Sequence, residues 1–133
     1  MKKYVLDSNI ISYILKKDKE VIKKFRQAND NGDESIIPAI VFYEITRGLL
    51  SVGATTKMND FSDLCDEFGI AEISLTVWRE AAKIYSVLKK RGTLIEDADI
   101  FIAAFCIVND CVLVTNNIRH FKVVDGLNFV NWK

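Results

Sequence analysis

Lys3-Tyr4-Val5-Leu6-Asp7-Ser8-Asn9 decides the fold: a short apolar run stopped by a polar triplet. That is the pattern of a buried strand whose C-terminal end meets solvent. A second β-rich run, Val112-Leu113-Val114-Thr115, closes in the same way on Asn116-Asn117. Ser35-Ile36-Ile37 and Leu127 to Val130 read as further strands, and Ile70 to Leu75 is strand-like.

Helical signals fill the spaces between these runs. Asn9 is placed to cap a helix over Ile10 to Lys17, and Asp18 to cap one running towards Asn31-Gly32. Pro38, at a first helical position, opens Ala39 to Leu50. Ala54 to Phe68 has helical spacing and closes at Gly69. Thr76 is placed to cap a helix whose last turn carries Lys89, Lys90 and Arg91 before Gly92. The apolar helix Ile100 to Val108 follows the acidic cluster Glu96-Asp97-Ala98-Asp99. Strands alternating with helices predict an α/β protein, a three-layer sandwich around a mainly parallel sheet.

The 133 residues, half of them hydrophobic, suit a single domain spanning 1–133. Eighteen basic residues balance eighteen acidic ones, so any nucleic-acid-binding surface must be local. The opening Met1-Lys2-Lys3-Tyr4-Val5-Leu6 imitates a signal peptide, but Asp7-Ser8-Asn9 interrupts it, and no apolar stretch has membrane-spanning length. Cys65, Cys106 and Cys111 fall in no metal-like spacing and read as reduced core thiols of a cytoplasmic protein.

Ligands of parallel α/β sheets sit outside the C-terminal strand ends, which puts Asp7 and Thr115-Asn116-Asn117 at one edge. Asp7 alone could be a turn or capping residue. Glu44 is flanked by Ile40, Val41, Phe42, Tyr43 and Ile45, and its structural partner would be Arg47, one helical turn away. Glu96, Asp97 and Asp99 could merely oppose a helix dipole. Three separate segments nevertheless offer carboxylates, and carboxylates gathered at one edge repel unless a cation neutralises them. An oxygen-only set suits Mg²⁺ or Mn²⁺ better than Zn²⁺, and such ions support phosphodiester hydrolysis. His120, the sole histidine, reads as a surface loop residue.

Val5 to Ile11, Tyr43-Glu44-Ile45-Thr46-Arg47-Gly48, Gly92 with Ile95 to Ala104, Leu113 to Asn117 with His120-Phe121, and Gly126-Leu127 to Asn131-Trp132 together resemble the PIN-domain family, and within it the VapC-type toxins. The resemblance implies that Asp7, Glu44 and Asp99 are catalytic and bind the metal, Mg²⁺ or Mn²⁺, with Asp97 a further candidate ligand. It implies that Ser8 and Asn9 shape the site, with Thr115 and Asn117 beside it. Members often carry an acid shortly after the Thr of the last motif, where this chain has Asn117. The implied activity is metal-dependent endoribonuclease cleavage of RNA. The implied partners are a second copy, as homodimer, and an antitoxin from a neighbouring gene that often inserts an arginine into the acidic site, a pairing a guanidinium makes well.

A phosphatase of the haloacid dehalogenase type would need an Asp at position 9, where Asn9 stands. A phospho-acceptor receiver module would need a Lys after a late strand, where Asn116 and Asn117 follow Thr115. A catalytically silent PIN scaffold is opposed by Asp7, Glu44 and Asp99 together. Lys2, Lys16, Lys17, Lys89, Lys90 and Arg119 are the basic residues expected to rim the site and hold RNA.

Overall fold

Val5 and Leu6 lose all solvent exposure in β1 (Lys3–Leu6), which requires cover on both faces of the strand. The computed structural model, which describes residues 1–133, provides it. The sheet has the order β2 (Glu34–Ile36), β1, β3 (Val112–Val114), β4 (Phe129–Val130), and all three pairings are parallel. Val5 registers with Ile36 on one side and Leu113 on the other, and Leu6 with Val114.

Parallel neighbours need crossover connections, and helices supply them. Between β1 and β2 run α1 (Ser8–Leu15) and α2 (Lys19–Asp30). Between β2 and β3 run α3 (Ala39–Val52), α4 (Thr55–Phe68), α5 (Leu75–Arg91) and α6 (Asp97–Val108). The short α7 (Ile118–Phe121) joins β3 to β4. The expected α/β architecture, a parallel sheet flanked by helices, is therefore present. Helix α6 is apolar nearly all round, and Ile100, Ile102, Ala103, Ala104, Phe105 and Cys106 are all buried, as a helix without a polar face must be. No helix is long and apolar enough to cross a membrane. The three cysteines are free, with Cys106 and Cys111 buried.

Several boundaries differ from the sequence expectation for identifiable reasons. Asn9 does not cap α1; it lies inside the helix, and extended Asp7 takes the cap position and accepts from Ser8 N. Strand β2 begins one residue earlier than expected, and β4 is confined to Phe129–Val130. Pro38 is the residue before α3 and not its first turn. Ile70 to Leu75 forms no strand, only a parallel bridge between Ala71 and Pro38. Pro38 offers no N–H and Ala39 already begins a helix, so the pairing cannot propagate. His120 sits in α7 rather than a loop.

The cap of α5 is Ser74, not Thr76: extended Ser74 accepts from Val77 N at 3.4 Å through its hydroxyl. Ser74→Ala should accordingly cost about 1 kcal/mol, as loss of a helix cap does, and Thr76→Ala far less. Urea unfolding of the two variants side by side checks the assignment; equal losses would refute it.

Candidate active site

The register of the sheet builds the centre of the site. Leu6 pairs with Val114, so the next residues, Asp7 and Thr115, emerge side by side, and Asp7 N still donates to Val114 O at 3.0 Å. Asp7 is 3% exposed and Thr115 fully buried. Thr115 Oγ1 donates to Asp7 Oδ2 at 2.7 Å, Asn9 Nδ2 donates to the same oxygen at 3.1 Å, and Ser8 N donates to Asp7 Oδ1 at 2.8 Å. Burial nevertheless pushes the Asp7 carboxyl up to about 6 from 3.8; the bonds from Thr115 and Ser8 pull it back, and the charges of Asp99 and Glu44 push it further up.

Glu44 projects half-buried from α3 and accepts from Ser8 Oγ at 2.6 Å. Arg47, its expected ion-pair partner, lies instead over the Tyr43 ring, 5.1 Å from the centroid. The Glu44 charge is thus left for the site. Asp99, in the first turn of α6, is 9% exposed, and its Oδ2 lies 2.9 Å from His120 Nδ1. Asp97 stands exposed in the same turn, as residues two apart on a helix face different ways.

No three acidic, histidine or cysteine side chains already stand in a metal-ligating group. Each carboxylate rests on its own donor: Asp7 on Thr115, Ser8 and Asn9, Glu44 on Ser8, Asp99 on His120. The charges of Asp99 and Glu44 act unfavourably on Asp7, as like charges near one another do. All the convergent donors are oxygens, the chemistry that suits a hard divalent cation.

Sequence reasoning missed His120 as a site residue. Its Nδ1 lies 2.8 Å from Asn117 Nδ2 as well as 2.9 Å from Asp99 Oδ2. A ring nitrogen carries one hydrogen or one lone pair, so it serves one neighbour at a time: protonated it donates to Asp99, unprotonated it accepts from Asn117. The available signal was its place three residues after Asn117. Asn117 also ties the loop to the centre by donating its N–H to Thr115 Oγ1 at 2.9 Å. Asn116 was equally underrated: its N donates to Asn9 Oδ1 at 2.9 Å, its Nδ2 to the Tyr13 hydroxyl at 3.2 Å, and its Oδ1 accepts from Asn131 Nδ2 at 3.0 Å.

An open parallel sheet with a buried carboxylate at the C-terminal end of a central strand, and two more from following helices, defines an α/β protein with its site at the strand ends. The chain belongs to the PIN domain family, whose model matches residues 4–127. It is 30% identical to ribonuclease VapC2 of Haemophilus influenzae over 134 residues, 99% of either chain. Ribonuclease VapC1 of Methanocaldococcus jannaschii is 36% identical over 99 residues, 74% of this chain and 70% of that one. Among solved structures, VapBC2 from Rickettsia felis, bound to a DNA fragment from its promoter, superposes with a TM-score of 0.91 at 24% identity, covering 98% of this chain and 99% of that one. VapBC-1 from nontypeable Haemophilus influenzae gives a TM-score of 0.84 at 25% identity and 98% coverage of both chains.

Proposed function

We infer that this chain is a metal-dependent endoribonuclease that hydrolyses RNA phosphodiester bonds, the toxin of a type II toxin and antitoxin pair acting in the cytoplasm. Its full-length likeness to a named ribonuclease VapC supports the class of activity. The observation that carries the mechanism is Asp7: a carboxyl raised to about 6 mainly by burial, and further by the charges of Asp99 and Glu44, at the C-terminal end of a central strand. Asp7, Glu44 and Asp99 would hold Mg²⁺ or Mn²⁺. When bound, such an ion lowers the pKa of a water and offsets charge on the scissile phosphate.

The chain's own groups prepare for that. Thr115 and Asn9 fix one Asp7 oxygen and Ser8 N the other, so the carboxylate cannot turn away. The Ser8 hydroxyl holds Glu44 towards β1, and His120 steadies Asp99. These contacts position the ligands in advance, which limits the entropy lost when ion and RNA arrive. Cleavage of single-stranded RNA by purified protein, with Mg²⁺ or Mn²⁺ and with chelator, tests the reading; failure with both ions would favour a silent scaffold, and sequencing of the RNA ends beside an Asp7→Asn control would define the target.

Asn117 stands where family members often carry an acid, and a neutral amide offsets a second divalent charge less well than a carboxylate. A second ion is therefore expected to bind more weakly than the first and to arrive with RNA phosphates. Asn117→Asp should tighten the weaker site and leave the first alone. Calorimetric metal titration with and without non-cleavable RNA checks this, and two equally tight sites in the free protein would count against it.

The partners expected are a second copy and an antitoxin from a neighbouring gene. Leu50 and Val52 at the end of α3 are 68% and 76% exposed, and Leu75 on α5 63%, apolar surface that one small core leaves uncovered. Sedimentation at micromolar concentration should give a dimer. Coexpression with the neighbouring gene should give a complex with suppressed cleavage; a lone monomer with full activity beside it would refute the assignment.

A further inference from the structure

Residues 16–26 carry six basic side chains, Lys16, Lys17, Lys19, Lys23, Lys24 and Arg26, against the acids Asp18 and Glu20, in a chain whose 18 basic and 18 acidic residues cancel. The fold sorts these charges. Asp18 is taken by Lys133 at 2.6 Å and by its capping bond to Val21 N, Glu20 by Lys24 at 3.6 Å, and Lys17 pairs with Asp60 at 3.5 Å. Lys19, Lys23 and Arg26 are exposed and form no ion pair. Their spacing along α2, four and then three residues, puts all three on one face. That face lines a concavity of about 480 Å³, whose one acidic wall residue is Asp30 at the far end of the helix.

A polar path joins this concavity to the carboxylate site. Asn9 at the site holds Asn116, Asn116 holds Tyr13 and Asn131, and Lys133 covers the Tyr13 ring at 5.1 Å while gripping Asp18, the cap of α2. Helix α1, which bridges the same gap, is roughly 12 Å long at its eight residues. A strand cut at the carboxylates and lying along this path would bring its flanking phosphates over α2.

We propose that the Lys19, Lys23 and Arg26 face of α2 is a binding site for the phosphate backbone of single-stranded RNA flanking the cleaved bond. It rests on the ribonuclease reading and adds to it a surface distant from the chemistry. The face supplies three point charges in a shallow groove and no aromatic platform, so it binds backbone without reading bases. In a chain whose total charge cancels, a local excess of unpaired cations is what attracts a polyanion to a given face.

The test is binding of a long, cleavage-resistant 2′-O-methyl RNA, with Mg²⁺ present, to the wild-type protein and to the triple variant Lys19→Glu, Lys23→Glu, Arg26→Glu. Affinity is expected to fall by about tenfold or more, and the slope of log affinity against log salt by about 2, at ~0.7 per phosphate contact on a single strand. The triple glutamine variant should fall between the two. Cleavage of an oligonucleotide too short to leave the carboxylate site should be unchanged. Unaltered affinity and salt slope would overturn the proposal, as would wild-type protein binding polyglutamate of equal length as tightly as the RNA, the mark of a face for acidic protein. If no RNA is cut yet the binding difference stands, the surface survives and the nuclease reading fails.

Discussion

Asp7→Asn, Glu44→Gln and Asp99→Asn should each lower Mg²⁺- or Mn²⁺-supported RNA cleavage by more than about a hundredfold, since losing even a residue that only orients a ligand costs 10–100-fold. The three carboxylates come from the end of β1, the middle of α3 and the start of α6, and the charges of Asp99 and Glu44 act on Asp7. None can therefore be replaced by a neighbour. Asp97→Asn, on the exposed side of its turn, should be mild by comparison. Single-turnover cleavage with saturating metal, with circular dichroism to show an intact fold, decides the matter. Wild-type turnover in any of the three would remove that residue from the site, and a severe loss in Asp97→Asn would add one.

The second large effect is on stability. The Asp7 carboxyl ionises near 6 in the folded protein and near 3.8 in an unfolded chain. Below both values the group is protonated in either state and costs nothing. As pH rises between them the unfolded chain gives up its proton first, so stability falls, and above about 6 the loss is constant. A shift of ~2 pH units corresponds to about 3 kcal/mol. Asp7→Asn should thus gain up to ~3 kcal/mol over the wild type at neutral pH without metal, less whatever the amide loses against Thr115 and Asn9, and little near pH 4. Urea unfolding with chelator across that range measures it. An identical difference at both ends would discard burial of an uncompensated charge as the cause. Adding Mg²⁺ should narrow the gap, because an ion held only by the folded wild type stabilises it by mass action.

The strands at Lys3 and Val112 were legible because an apolar run with a polar stop is a one-dimensional signal. Asp7 and Glu44 stood out for a similar reason, each set against apolar neighbours, and Asp99 as the last acid of the cluster that opens an apolar helix. What sequence could not supply was pairing. That Leu6 lies beside Val114, and so Thr115 beside Asp7, is a fact of register between segments 108 positions apart. Arg47 looked like the partner of Glu44 because it is one turn away, yet a tyrosine face was nearer, and Ser8 from another element took the carboxylate. His120 was read as a loop residue because nothing local reveals that α7 turns it onto Asp99. Ile70 to Leu75 was strand-like by composition, but its only partner segment runs into Pro38 and a helix.

The two helices that bring Glu44 and Asp99 to Asp7 differ in how firmly they are set. Helix α6 is sunk in the core from Asp99 to Cys106, so its carboxylate can move only if much of the molecule opens. Helix α3 fully buries only Val41 and Ile45, packs Ile40 and Leu49 partly against the core, stacks Phe42 on Phe61 and leaves Tyr43 and Leu50 outside, so Glu44 rides on an element anchored along one side. The two carboxylates are thus seated differently: Asp99 by the burial of its whole helix, Glu44 by the single bond from Ser8 Oγ on a helix with a free outer side. Under the proposed function, Asp7 and Asp99 would supply the rigid part of a cation's seat, and Glu44 the part that depends on one hydroxyl. Ser8→Ala should therefore loosen Glu44 and leave Asp99 where it is, because the two acids share no donor atom.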